Sequence, residues 1–205
     1  PAAAIEIQRP VTLDTGEVIV LQDWLDGLYA SEGNDAAWAR WNFYPLDMFE
    51  DPKKKKPHAL VSTWIHHLAG CAQGLDLTSL LVAPDGVAQF CRLPAAQAEQ
   101  ELKTILTCLY AGLTWPLPVT AKTALAFIGK ASDDPGSHMA AAREAARKAY
   151  EGDYNHGGEC GYSVYLQRIY PTFEDLWQAA DNQFQSLAHT LYGPLMRAVQ
   201  ERQLP

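Results

Sequence analysis

Positive charge is scarce in this chain. Sixteen Lys and Arg stand against 24 Asp and Glu, a formal net charge of −8 over 205 residues. Phosphate contacts dominate the affinity of free-standing DNA-binding domains, which usually carry the opposite sign. The balance therefore argues against autonomous nucleic-acid binding and leaves open a role beside a basic partner. No apolar run approaches the roughly 20 residues that cross a bilayer. The first residues, PAAAIEIQRP, lack a basic flank before an apolar stretch and do not read as a signal peptide. These absences point to a cytoplasmic protein with no membrane partner. With Pro in place of an initiator Met, the chain reads as processed or as a piece of a longer protein.

Cysteine is sparse too. Cys71, Cys91, Cys108 and Cys160 are widely and irregularly spaced, with no CxxC pair, and read as free, reduced thiols. A zinc site from His66, His67 and Cys71 fails on geometry. Neighbouring histidines diverge by about 100° on a helix, and His67 with Cys71 supplies only two ligands. The Gly-rich stretch 152–164, GDYNHGGECGYSV, lacks the GxxxxGK spacing of a phosphate loop and reads as a loop only. No cofactor and no metal are expected.

What is present is a 48% hydrophobic, 20% charged chain, enough for a real core. IEIQRPVTL, broken by Pro10, suggests a short edge strand. VIVLQDWLDGLYASEGNDAAWARWNFYP (18–45) reads as two apolar arms around the SEGND turn. Its first arm fits helix or strand, and the turn favours strand. Its second arm alternates Trp38, Arg40, Asn42 and Tyr44 on one face with Ala39, Trp41 and Phe43 on the other. DPKKKKPH is a charged loop. A helix over about 58–73 follows, with Leu60, Val61, Trp64, Ile65, Leu68 and Ala72 on its apolar face. LTSLLVA-PDG-VAQFCRL is a hairpin.

From Pro94 the pattern is helical, with a stripe of Leu102, Ile105, Leu106 and Leu109 ending near Gly112. A helix over roughly 120–129 comes next, then an Ala-rich one capped by Asp134 with Pro135 first. The last helix starts at Thr172, with Asp175 completing a capping box. It runs along Phe173, Leu176, Trp177, Ala180, Phe184, Leu187, Ala188 and Leu191, and Gly193-Pro194 should interrupt it. The expectation is one α/β domain over 1–205: a sheet core with one helix over 1–93 and a helical extension over 94–205.

The arm VIVLQDWLDGLY, its turn and the second strand resemble the hairpin of the PD-(D/E)xK nucleases, especially the nuclease domain of the RecB helicase-nuclease. Over most of the chain a closer resemblance appears. WLDGLY, PHALVSTWIHHLAG, TWPLPVTAKTALAFI, AAREAARKAYEGDYN and FEDLWQAADNQFQSLAHTLYGPLMRAV, in that order, look like the C-terminal domain family of the exodeoxyribonuclease V gamma subunit, RecC. The resemblance implies a restriction-endonuclease-like mixed sheet with flanking helices and a helical C-terminal half. It also implies lost catalysis, and a scaffold role beside RecB-like and RecD-like subunits, with DNA met in the context of that complex, in double-strand-break repair and homologous recombination. The parent complex is an ATP-dependent exodeoxyribonuclease.

The chemistry can be tested on the residues. Phosphodiester hydrolysis of this type needs clustered carboxylates to hold Mg²⁺ and a Lys aimed at the attacking water. On a strand, i and i+2 share a face, so D-x-K or E-x-K delivers both groups to one pocket. Asp26 stands at the first acid of the family pattern. Asn42 and Tyr44 stand where the second acid and the Lys would be, so the site reads as degenerate and Asp26 as a satisfied structural carboxylate. Two literal matches do not restore it. Asp51-Pro52-Lys53 has a central Pro unsuited to an interior strand, and Glu101-Leu102-Lys103 falls on a helix, where i and i+2 diverge by about 200°.

Lys53, Lys54, Lys55 and Lys56 are candidate DNA contacts, although a Lys run is usually a solvated loop. Trp38, Trp41 and Trp115 are candidate partner contacts, although aromatics at regular spacing usually pack inward. Two other functions stay in view: an active metal-dependent nuclease joining Asp26 to Asp47 or Glu50, and an unrelated α/β interaction module.

Overall fold

A computed structural model describes residues 3–31, 34–49, 56–131, 139–154 and 157–203. The chain divides into two compact units. The first comprises residues 1–110 and 198–205, the second residues 111–197.

The first unit is built on sheets. Strands β1 (Ile5–Thr12) and β2 (Val18–Leu25) pair antiparallel as a two-stranded ribbon, with Pro10 opposite Val20. A two-stranded ribbon is all edge, which is why a proline is tolerated in it. Its inner face buries Ile7 and Val11, and Val11 and Leu13 pack with Leu106 of helix α2 (Ala95–Thr114). Arg9 pins the ribbon twice, through Nη1 to the Ala72 carbonyl at 2.8 Å and Nη2 to Glu99 at 2.6 Å.

The main sheet has five strands in the order β3-β4-β5-β6-β7: β3 Leu28–Ser31, β4 Asn34–Phe43, β5 Asp76–Ala83, β6 Gly86–Phe90 and β7 Val199–Gln203. Only β4 and β5 are parallel, so the link between them must cross the sheet. Helix α1 (Leu60–Ala72), entered through a 3-10 turn at Pro57–Ala59, makes that crossing. It covers the face that carries Leu28, Leu77, Leu81, Ala88 and Phe90. Gly70 lets α1 lie close to the sheet: a Cβ there would come within 2.6 Å of Leu77 Cδ2 and 3.0 Å of Leu25 Cδ2, so both leucines would have to shift.

The buried side of α1 is rotated from the face expected. His67 and Cys71 go inward beside Leu60, Trp64, Leu68 and Ala72, whereas Ile65 is exposed and Val61 half-buried. The other sheet face is half-exposed. Along β4, Trp41 and Phe43 are 44% and 77% exposed, and Leu80, Val82 and Val87 beside them are half-buried.

The second unit is helical: α3 (Ala121–Ala131), α4 (Met139–Glu151), α5 (Val164–Ile169), α6 (Phe173–Asn182) and α7 (Phe184–Ala198). Phe127, Phe173, Trp177 and Phe184 form its aromatic centre, with Phe127 edge-on to Trp177 at 5.8 Å and to Phe184 at 5.7 Å. Ala142 and Ala146 let α4 lie close to α3. Thr172 and Asp175 form the reciprocal capping box.

Four expectations need correction. The first apolar arm is not one arm of a hairpin. Its chain turns at Gly27, with φ of +64°, so β2 pairs with β1 while the short β3 pairs with β4. The last helix breaks at Ala179–Asn182, where Ala180, Asp181 and Asn182 all take positive φ, and not at Gly193-Pro194, which α7 includes. The C-terminal half is not wholly helical, because Val199–Gln203 returns to the sheet as β7 beside β6. Leu109 of the α2 stripe is exposed, while Leu102 and Leu106 are buried. Asp134 and Pro135 lie outside the described residues.

Among the described residues, no helix is long and apolar enough to cross a membrane.

Candidate functional site: a carboxylate and an amide on a buried arginine

Register brings the site together. Leu28 of β3 lies opposite Arg40 of β4, which sets Asp26, two residues upstream, beside the Arg40 side chain. Alternation along β4 turns Arg40 and Asn42 to the same face. Arg40 is buried, its side chain 7% exposed, and its guanidinium is the centre of the network. Nε donates to the Asp26 carbonyl at 2.9 Å, and Nη2 meets Asp26 Oδ1 at 3.3 Å. With the Asn42 amide oriented to satisfy both its neighbours, its oxygen accepts from Arg40 Nη1 at 3.0 Å and its NH₂ donates to the Trp41 carbonyl at 3.1 Å. The Asp26 carboxylate stays 77% exposed.

Asp26 and Asn42 therefore converge, but on a cation the protein supplies. The third expected member, Tyr44, is engaged elsewhere. Its N–H donates to the Val82 carbonyl at 2.8 Å, and Lys56 Nζ stands 5.8 Å from its ring centre. Asp47 is exposed, while Glu50, Asp51, Lys53, Lys54 and Lys55 lie outside the described residues. Glu101 and Lys103 fall on helix α2, and Lys103 pairs with Asp14 at 2.7 Å. Trp38 is half-buried, Trp41 packs its ring 4.5 Å from that of Tyr29, and Trp115 is 68% exposed.

These residues do not fit a divalent cation. Mg²⁺ takes about six oxygens in a tight octahedron and prefers carboxylates. Here the one carboxylate and the amide oxygen both face a guanidinium that stays charged at any physiological pH. Among the described residues, no group of three or more His, Cys, Asp or Glu is placed to hold a metal ion.

Sequence reasoning set Arg40 on the right face of β4 and gave it no role. The available signal was a charged residue at an inward position, two before Asn42, since buried charges are almost always paired.

A second buried polar cluster sits under the sheet. Ser79 Oγ lies 3.0 Å from His67 Nδ1, and His67 Nε2 lies 3.1 Å from the Cys91 carbonyl and 3.5 Å from Cys71 Sγ. Burial lowers the His67 pKa to about 4 against the opposing pull of the Cys91 carbonyl. Burial also raises the Cys71 thiol. His66 points away and bonds the Ser62 carbonyl at 2.7 Å.

No curated protein matches the chain. The family described as the RecC C-terminal domain matches residues 2–132, which include the ribbon, four strands of the main sheet and helices α1 to α3. That match covers more than half of the sequence, and the chain belongs to the RecC C-terminal domain family, with an α/β nuclease-like fold.

Proposed function

We propose that this chain is a non-catalytic, nuclease-fold scaffold domain in the gamma subunit of an exodeoxyribonuclease V-type helicase-nuclease. Membership in the RecC family points to that subunit and to DNA repair. The observation that carries the non-catalytic reading is what stands at the β3–β4 hairpin and in the residues that flank it. Asp26 is the one carboxylate there at a family metal position, and Asn42 and Tyr44 offer a neutral amide and a phenol where an acid and an ammonium are needed. A single exposed carboxylate neither holds a metal firmly nor activates water.

The scaffold role draws on the half-exposed sheet face. Trp41 and Phe43 project from β4 beside the half-buried Leu80, Val82 and Val87, and exposed apolar side chains grouped in this way are what an interaction surface offers. RecB-like and RecD-like subunits are the partners proposed, with Trp41 and Trp115 as contacts. Trp38, half-buried on the Arg40 face, is the weaker candidate. Lys53–Lys56 would lie near DNA only in the assembly, because the chain's net charge of −8 opposes independent binding.

The test is a nuclease assay of the chain on single- and double-stranded DNA with Mg²⁺ and then Mn²⁺, beside Asp26→Ala. Silence from both proteins is expected. Metal-dependent cleavage that disappears with Asp26→Ala would show that the missing groups come from elsewhere, Asp47 or Glu50 included, and would overturn the reading. For the scaffold role, the pair Trp41→Ala and Phe43→Ala should weaken co-purification with the RecB-like subunit at least tenfold. Undiminished capture would remove that surface from consideration.

A further inference from the structure

We propose that the α6–α7 break is a hinge through which two copies of this chain exchange the arm that follows it, α7 with β7, giving a dimer in which α6 and α7 of each copy run as one straight helix. The backbone of the break is the first observation. Ala180, Asp181 and Asn182 lie in succession in the left-handed region, with φ of +48°, +57° and +66°. L-residues other than glycine visit that region as single positions and not in runs, because Cβ crowds the following carbonyl oxygen at each one. The turn is exposed from Ala180 to Gln183, so burial does not offset its cost.

The sequence through the break fits a straight helix better than a bent one. Phe173, Trp177, Ala180, Phe184, Leu187 and Leu191 follow one another at intervals of four, three, four, three and four residues. That is an unbroken apolar seam, and Ala180 is its member at the hinge. In the bent form Ala180 is exposed and the seam is interrupted there.

The bend brings together what a straight helix holds apart. The Phe184 ring lies 5.4 Å from that of Trp177 and 6.2 Å from that of Phe173. Along one straight axis Phe173 and Phe184 would stand about 16 Å apart. A straight α6–α7 therefore carries Phe184 away from its own Phe173 and Trp177, and from Phe127, whose ring it meets at 5.7 Å. An arm of identical sequence refills that space with the same contacts, which makes a second copy of this chain the fitting occupant. Exchange keeps the aromatic core and the β6–β7 pairing and alters only the hinge, from a left-handed turn to helix. Short hinges under strain favour such exchange, and the freedom lost when two chains associate opposes it, so concentration sets the balance. The exchange is independent of any partner at the sheet face.

The test uses the whole chain under reducing conditions, since its four cysteines are free. The chain is unfolded in urea, refolded at low and at high concentration, and sized by light scattering after gel filtration. A dimer is expected from the concentrated refolding. It should persist on dilution and should not form when native monomer is concentrated, because exchange requires α7 to leave its core first. Ala180→Gly eases the left-handed turn and disfavours the helix. It should weaken dimer formation about tenfold per hinge, and so about a hundredfold for the two hinges of a dimer. Asp181→Ala with Asn182→Ala should act in the opposite direction. If that pair does not fold, the glycine variant and the unmodified chain still decide.

The absence of a dimer from the concentrated refolding of the unmodified chain overturns the proposal. So does a dimer that dissolves on dilution, or one indifferent to Ala180→Gly. A dimer lost with Trp41→Ala and Phe43→Ala is association through the sheet face, and it overturns the proposal as well.

Discussion

His67 and Ser79 are bonded to each other inside the sheet unit, with Nδ1 3.0 Å from Oγ and neither residue reaching solvent. Burial disfavours the charged ring. In the neutral ring the Cys91 carbonyl requires the proton on Nε2, so Nδ1 accepts from the Ser79 hydroxyl.

This fixes a pH dependence. The folded pKa of His67 falls from 6.5 to about 4 because burial opposes the charged form. Between those values the unfolded chain binds a proton that the folded chain does not, so stability rises with pH there. The full contribution is present above about pH 6.5 and is lost as pH falls towards 4, amounting to about 3 kcal/mol. Urea unfolding at pH 7 and pH 5 should show the loss, and His67→Gln should flatten it. An equal pH slope in the variant would assign the effect to other groups.

Glu159 holds the start of α3. Oε2 accepts from Thr120 Oγ1 at 2.6 Å, Thr123 N–H at 3.0 Å and Thr123 Oγ1 at 2.9 Å, and Oε1 accepts from Lys122 N–H at 3.3 Å. The carboxylate serves orphan donors at the positive end of the helix. Glu159→Ala should therefore cost about 2 kcal/mol in urea denaturation. Glu159→Gln, which keeps one acceptor oxygen, should cost less.

Gly158 sets up that contact. A Cβ there would lie 2.2 Å from the Tyr150 carbonyl oxygen and 2.3 Å from the Gly152 nitrogen, both backbone atoms that cannot step aside. Gly158→Ala must push the loop off the end of α4 and carry Glu159 with it. Its cost should exceed that of Glu159→Ala, and the double variant should cost less than the sum, because both act through one contact.

At the α6–α7 break, Ala180 has φ of +48° and ψ of +52°. Its neighbours Asp181 and Asn182 are of the types that tolerate the left-handed region, whereas an alanine pays about 1 kcal/mol there. Ala180→Gly should raise stability by up to about 1 kcal/mol. Were residues 173–191 one continuous helix, as their apolar periodicity suggests, the same change would lower stability by about as much. The sign of the shift in melting temperature decides between the two.

Local pattern explains which parts of the fold were legible. The β5–β6 hairpin could be read from alternation around Pro84-Asp85-Gly86, and the start of α6 from Thr172 and Asp175, because each is specified by residues within a few positions. Strand β7, sequence VQERQ, has no alternation to display and forms only because β6 offers it an edge. The division of the first arm depends on one glycine at positive φ, and the α6–α7 break on a conformation that periodicity cannot encode. Asn42 could be placed on its strand by pattern alone, whereas Asp26, read as part of a hairpin arm, lies in the turn between β2 and β3, and Tyr44 follows the end of β4. That an arginine would draw two of them together followed from register, which the sequence leaves implicit.

The pairing of β6 with β7 has a consequence in time. Phe90 is opposite Val199 in the sheet, and the whole second unit is made between them. At ordinary synthesis rates the ribosome needs on the order of ten seconds to cover that interval. Throughout it the edge of β6 has no neighbour of its own, and it is then that a foreign strand can most easily take the place reserved for β7.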